Sequence, residues 1–208
     1  MNWMKKVAVA LVCLLPLGLQ AAKVDTLQVK SPSMNKSIEV VVVSPDMAAT
    51  EACPVIYLLH GYGGNARTWV GIKPDLPKIA DEKGIFFVCP DGKNTWYWDS
   101  PLNADVRYET FISDELVKYV DSHYKTVADR KGRAITGLSM GGHGAMWNGL
   151  RHSDVFSAAG STSGGVDIRP FPKNWEMSVQ IGEKAKYPEN WETVSYTHLR
   201  AHETKANL

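Results

Sequence analysis

The sequence predicts an α/β protein built on a mostly parallel sheet with helices on both faces. Short apolar runs of strand length, 55 to 59, 85 to 89 and 134 to 136, alternate with longer helical stretches, the spacing that crossover connections between parallel strands require. Several of these runs end in a glycine- or proline-rich turn, so the turns gather at the strands' carboxyl ends, where such sheets carry their reactive groups. At 208 residues, 44% hydrophobic and 22% charged, the chain can bury one sizeable core and lies far from disordered or collagenous compositions.

The first residues read as a targeting segment. Lys5 and Lys6 precede an apolar stretch from Val7 to Leu19, and Gln20-Ala21-Ala22 offers small residues for cleavage, the layout of a secretory signal over residues 1 to 22. The apolar run is shorter than the roughly 20 residues a spanning helix needs, and Cys13 lies inside it rather than at its end. The expectation is an exported protein, periplasmic or secreted, with no stable membrane insertion.

A domain from residue 23 to 194 follows. Asp25 to Val29 and Ser37 to Val43 read as an opening antiparallel pair, and Val55 to Leu59 as a buried strand. Thr68 to Lys83 reads as mostly helical despite Pro74 and Pro77, and Ile85 to Cys89 as the next strand, closed by Pro90-Asp91-Gly92. Glu109 to Tyr124 is an amphipathic helix with Phe111, Ile112, Leu116, Tyr119 and Val120 on one face; Asp114, Glu115 and Asp121 form its solvated side. Ala134 to Thr136 is a strand, Gly141 to Arg151 a helix, Phe156 to Ala159 a further strand, and Ser178 to Ile181 a last short one. Cys53 precedes one parallel strand whereas Cys89 ends its neighbour, which puts the thiols about 15 Å or more apart and predicts two buried free cysteines.

A net charge of +1 supplies neither a basic stripe for nucleic acid nor an acidic tail, and leaves small neutral substrates open. The chemistry is carried by Arg133-Ala-Ile-Thr-Gly-Leu-Ser-Met-Gly-Gly142, where Gly137, Ser139 and Gly141 spell G-x-S-x-G between a strand and a helix. A serine at such a turn is forced into an unfavourable backbone conformation that projects its Oγ, making Ser139 the candidate nucleophile. Upstream, Pro54-Val-Ile-Tyr-Leu-Leu-His-Gly-Tyr-Gly-Gly64 runs a strand into glycines able to curl amides inward. The N–H groups of Tyr62 and Met140 are the candidate oxyanion donors, each able to lower an acyl-transfer barrier by about 3 to 4 kcal/mol.

These segments, with the aromatic loop Trp96-Tyr-Trp-Asp-Ser100 and Ser161-Thr-Ser-Gly-Gly165, resemble the α/β-hydrolase esterases of the esterase D and S-formylglutathione hydrolase type, close to bacterial carbohydrate and feruloyl esterases. The resemblance covers roughly residues 25 to 193. It implies an α/β-hydrolase fold, Ser139 as nucleophile, and Trp96 and Trp98 bordering a pocket for a small-molecule or carbohydrate ester, with no metal and no cofactor. It also implies a triad order of Ser, then acid, then His on two later strands, which the sequence does not supply, so the expectation is a domain lacking its last strands and inactive as it stands. Residues 195 to 208 lose the preceding hydrophobic patterning and read as a non-native tail. Among the histidines, His60 shapes the oxyanion turn, His143 lies on the elbow helix, His123 and His152 lie near helix ends, and His198 and His202 fall in that tail. Asp167 reads as a loop hydrogen-bonding residue. An acyltransferase or thioesterase on the same scaffold, or a non-catalytic binding protein, are the alternatives.

Overall fold

The computed structural model describes residues 22–165 and 167–194. Strands β1 (Lys23–Ser31) and β2 (Lys36–Ser44) form an antiparallel hairpin, and β2 pairs antiparallel with β4 (Phe86–Pro90). From there the sheet is parallel: β4 beside β3 (Val55–Leu59), then β5 (Arg133–Gly137), then β6 (Ala158–Ala159), in the order β1-β2-β4-β3-β5-β6. The mostly parallel α/β sheet expected from the sequence is thus present.

The central strands are apolar at nearly every position because both faces are covered. Val40, Val42, Val55, Tyr57, Phe86 and Val88 face one core, while Val41, Val43, Leu58, Phe87 and Cys89 face the other. The first core takes the helical run made of α3 (Tyr108–Thr110), a π-helical turn (Phe111–Glu115) and α4 (Leu116–His123), together with α5 (Met140–Arg151). The second takes α2 (Leu76–Lys83), with α1 (Thr68–Ile72) packed at its edge through Trp69 and Val70. Cys53 and Cys89 lie in different cores, and both thiols are free and buried.

Several sequence expectations change in detail. The stretch from Thr68 to Lys83 is two helices, since Pro74 forces Lys73 out of the helical region and Pro77 is tolerated only in the first turn of α2. On α4, Val117 joins the buried face, while Tyr119 is partly buried against the same core. Asp114 is exposed, as expected, but Glu115 and Asp121 are only partly so and are engaged: Glu115 accepts hydrogen bonds from Ser31 Oγ at 2.6 Å and Ser33 N–H at 2.8 Å, and Asp121 pairs with Arg133. The strand expected over Phe156 to Ala159 shrinks to two residues, because Phe156 N–H still caps α5 through the His152 carbonyl. The strand expected over Ser178 to Ile181 is instead helix α6 (Met177–Ile181), followed by α7 (Pro188–Thr193). The apparent Val179, Ile181 alternation misleads there: Met177 and Ile181, four apart, are buried, whereas Val179 is 66% exposed.

Candidate active site

Ser139 stands between β5 and α5 with φ 54° and ψ −115°. A residue with a β-carbon holds that backbone only where its surroundings enforce it. Here the Ser139 N–H donates to the Thr162 carbonyl at 2.8 Å and the Gly141 N–H to the Leu138 carbonyl at 2.8 Å. Helix α5 approaches β3 so closely that a Cβ on Gly141 would collide with the Leu59 carbonyl, and one on Gly137 with the backbone of Gly141. The flanking glycines are therefore a packing requirement, and Ser139 between them is exposed. Among the described residues, Ser139 Oγ has no hydrogen-bond partner.

The glycine-rich turn after β3 closes onto this elbow: a Cβ on Gly61 would lie 3.6 Å from Ser139 Cβ. Gly63 N–H is spent on Asn94 Oδ1 at 2.9 Å and Gly64 N–H on the Gly61 carbonyl at 3.0 Å. Among the described residues, the N–H groups of Tyr62 and Met140 donate to no protein group. Two unspent amides beside an exposed hydroxyl are what an acyl-transfer site needs to hold an oxyanion.

Ser139 lines a cleft of about 250 Å³ together with Tyr62, Trp96, Asp167, Phe171 and Trp175. Trp98, expected beside it, lies behind Trp96: the two rings stack at 5.6 Å, and Trp98 faces a separate cavity with Glu109 and Trp147. It was misplaced because residues two apart in an irregular loop need not share a wall; Trp96 and Tyr97 both adopt positive φ, which turns the chain between the two indoles. Phe171 and Trp175 escaped the sequence reading, which had no periodic pattern to connect them to the serine. Of the non-glycine residues with positive φ among those described, Trp96, Ser139, Ser163 and Trp175 all line this cleft, a concentration of backbone strain typical of functional sites. A larger hollow of about 700 Å³, between Lys173, Ser178, Glu183 and Lys184, contains none of the expected site residues.

The described histidines are all engaged elsewhere. His60 Nδ1–H donates to the Gly61 carbonyl at 2.8 Å and Nε2 accepts the Gly92 N–H at 2.9 Å, so Nε2 has no proton to give Asp91 Oδ1, 3.5 Å away. Burial works against the Asp91 carboxylate, but its hydrogen bonds, those of Lys93 among them, outweigh it and hold the pKa at about 2. His143 is wholly buried, with Nδ1 2.8 Å from the Gly165 carbonyl and Nε2 accepting the Trp98 indole N–H at 3.0 Å; burial lowers its pKa to about 4. His123 bonds to the Tyr119 carbonyl and His152 to Glu109. Asp167 lines the cleft, but the Arg169 guanidinium clamps it and holds its pKa at about 2, a carboxylate committed to an ion pair. His198 and His202 lie outside the described residues. Among the described residues no group of His, Cys, Asp and Glu is arranged to hold a metal, and no helix is long and apolar enough to cross a membrane.

Comparison with known proteins agrees with this architecture. An esterase of Mycobacterium tuberculosis is 30% identical over 149 residues, 68% of this chain and 32% of its own length. The diacylglycerol acyltransferase/mycolyltransferase Ag85A of Mycobacterium leprae is 32% identical over 158 residues, 69% of this chain and 44% of its own. The solved structure of a ferulic acid esterase superposes with a TM-score of 0.65 at 30% identity, covering 80% of this chain and 70% of that one. The chain thus spans about a third to a half of the length of these curated relatives. A serine hydrolase of Staphylococcus aureus and an S-formylglutathione hydrolase of Agrobacterium tumefaciens share the fold, that of the α/β-hydrolases, with TM-scores of 0.70 and 0.72. The family model described as "Putative esterase" matches residues 31–207, and the chain belongs to this esterase family.

Proposed function

We propose that this protein hydrolyses carboxylic esters through an acyl-enzyme on Ser139. The observation that carries the reading is the strained, exposed serine flanked by two unspent amides at the mouth of an aromatic cleft. Ser139 Oγ attacks the ester carbonyl, its proton passing to a base, and the carbonyl oxygen becomes an oxyanion received by the Tyr62 and Met140 N–H groups. Collapse expels the alcohol with a proton and leaves the acyl group on Oγ; water then repeats the sequence and releases the acid. The base comes from outside the described residues, since each described histidine is committed elsewhere. Trp96 walls the site that takes a small acyl or carbohydrate-linked ester, a substrate class supported by the ferulic acid esterase likeness. Residues 1 to 22 direct export and are removed, the mature domain begins at residue 23, and residues 195 to 208 add nothing to catalysis.

The test is p-nitrophenyl acetate turnover by the full-length gene product and its Ser139→Ala form. Turnover should fall by on the order of 10⁴, and retention of more than about a hundredth by a folded variant would refute the assignment. The mycolyltransferase relative favours a second reading, transfer of the acyl group to an alcohol rather than to water. Adding glycerol to the same assay separates the two: a transferase yields glycerol ester in preference to free acid.

A further inference from the structure

The buried imidazole of His143 has no part in the acyl-transfer chemistry above, yet its contacts are the most specific around the cleft. It is 0% exposed, on the first turn of α5, four residues after Ser139. Three indoles surround it: Trp96 and Trp98 approach edge-on at 5.3 and 5.2 Å between ring centres, and Trp147 lies parallel at 6.5 Å. An indole N–H can only donate, so the 3.0 Å bond from Trp98 makes Nε2 an acceptor. A carbonyl can only accept, so the 2.8 Å contact with Gly165 puts the proton on Nδ1. One neutral tautomer satisfies both bonds.

One bond ends on Gly165, which lines the cleft, and the other on Trp98, which backs the cleft wall made by Trp96. Trp98 stacks on Trp96, whose own indole N–H donates to the Trp175 carbonyl at 3.2 Å, and Gly165 lines the cleft from the loop after β6. Helix α5, which carries Ser139 at its start, is thereby tied to both sides of the space in front of the serine.

We infer that His143 is a positioning residue of the Ser139 cleft, a neutral imidazole pin that fixes the Trp96–Trp98 wall and the Gly165 wall against the elbow helix. The ionisable groups on the packed elements are spoken for. Asp99 accepts from Thr110, Asp91 from Lys93, Asp167 from Arg169, and Glu109 from Trp147, Arg151 and His152. The acid-shifted pKa agrees with a ring held neutral. Protonating Nε2 replaces an acceptor by a donor facing the Trp98 N–H, so the charged form opens the pin.

The inference rests on Ser139 lining this cleft as proposed, but its test needs no turnover, so failure of the esterase reading and failure of the pin are told apart. Two-bond ¹⁵N–¹H spectra of the imidazoles should show His143 protonated on Nδ1 alone near neutral pH; a proton on Nε2 overturns the inference. The indole N–H signals of Trp98 and Trp96, assigned by single Trp→Phe variants, report the wall. In His143→Phe both should lose protection from exchange by at least about tenfold. In His143→Gln, whose amide oxygen can accept from Trp98, protection should be largely restored. Release of Trp98 with Trp96 still protected would show that the pin does not hold the wall. Should His143→Phe not fold, the wild-type chain carries the test: on acidification through about pH 4 both indoles should be released while β3 and β5 amides stay protected, and indoles unchanged across that range overturn the inference.

Discussion

At the residue scale, the chain places two side chains in states they adopt only under constraint, and each has a measurable consequence. Ser139 is held at φ 54°, ψ −115°, which costs of order 1 to 3 kcal/mol for a residue with a β-carbon. Ser139→Gly should therefore remove the nucleophile and yet leave the fold at least as stable, with an equal or higher midpoint in thermal unfolding; a clear loss of stability would mean that the turn is not strained. His143 is neutral against a pKa lowered to about 4 from an ordinary 6.5. The unfolded chain takes up this proton first as the pH falls, so the stabilisation is whole above about pH 6.5 and is lost on the way down to about pH 4. At about 1.4 kcal/mol per unit this amounts to roughly 3 kcal/mol. Urea unfolding near pH 7 and near pH 4.5 should show a smaller loss for His143→Gln than for the wild type; equal losses would contradict a buried neutral ring.

At the element scale, the elbow depends on how closely α5 passes β3. Gly141→Ala drives a Cβ into the Leu59 carbonyl, a backbone atom that cannot rotate away. It should cost more than about 3 kcal/mol or abolish folding, whereas Gly71→Ala, with open space around it, should be nearly neutral or stabilising in the same denaturation assay. The elements that were legible in the sequence are those whose pattern and punctuation agree. The β3 run ends in HGYGG, and β5 runs into G-x-S-x-G, so Ser139, Tyr62 and Met140 fall where the motifs put them. The illegible parts lie where local pattern and tertiary packing disagree. Met177–Ile181 looks like a strand until the buried pair four apart is known, and the tryptophans of the 96 to 98 loop take different walls because of two positive φ values that no side-chain pattern announces. His143 gave a signal only in being a histidine on an otherwise small and apolar helix face; its partners at residues 98 and 165 are 45 and 22 positions away.

At the scale of the whole molecule, a sheet covered on both faces brings four connections to one carboxyl edge: the turn after β3, the aromatic loop after β4, the elbow after β5 and the loop after β6. Apart from Met177 on α6, the residues that line the cleft come from these connections, which is why a scaffold of ordinary apolar strands can carry so specific a constellation. The two cores also settle the thiols. Alkylation of the unfolded, unreduced protein should label both Cys53 and Cys89, and a bridged species two mass units lighter would contradict the strand order. Residues 195 to 208 are proposed to add nothing to catalysis, so replacing both His198 and His202 by alanine should leave p-nitrophenyl acetate turnover by residues 23 to 208 unchanged; turnover that disappears in the double variant would place the base in that stretch. The central claim is that Ser139 and the Tyr62 and Met140 amides form one site shaped for a tetrahedral acyl centre. Phenylboronic acid reads it most directly, because bonding to a serine oxygen converts trigonal boron to a tetrahedral anion that the two amides would hold. The account predicts a tetrahedral ¹¹B signal with the wild-type chain that is absent with Ser139→Ala; boron that stays trigonal, or a tetrahedral signal that survives the substitution, would contradict it.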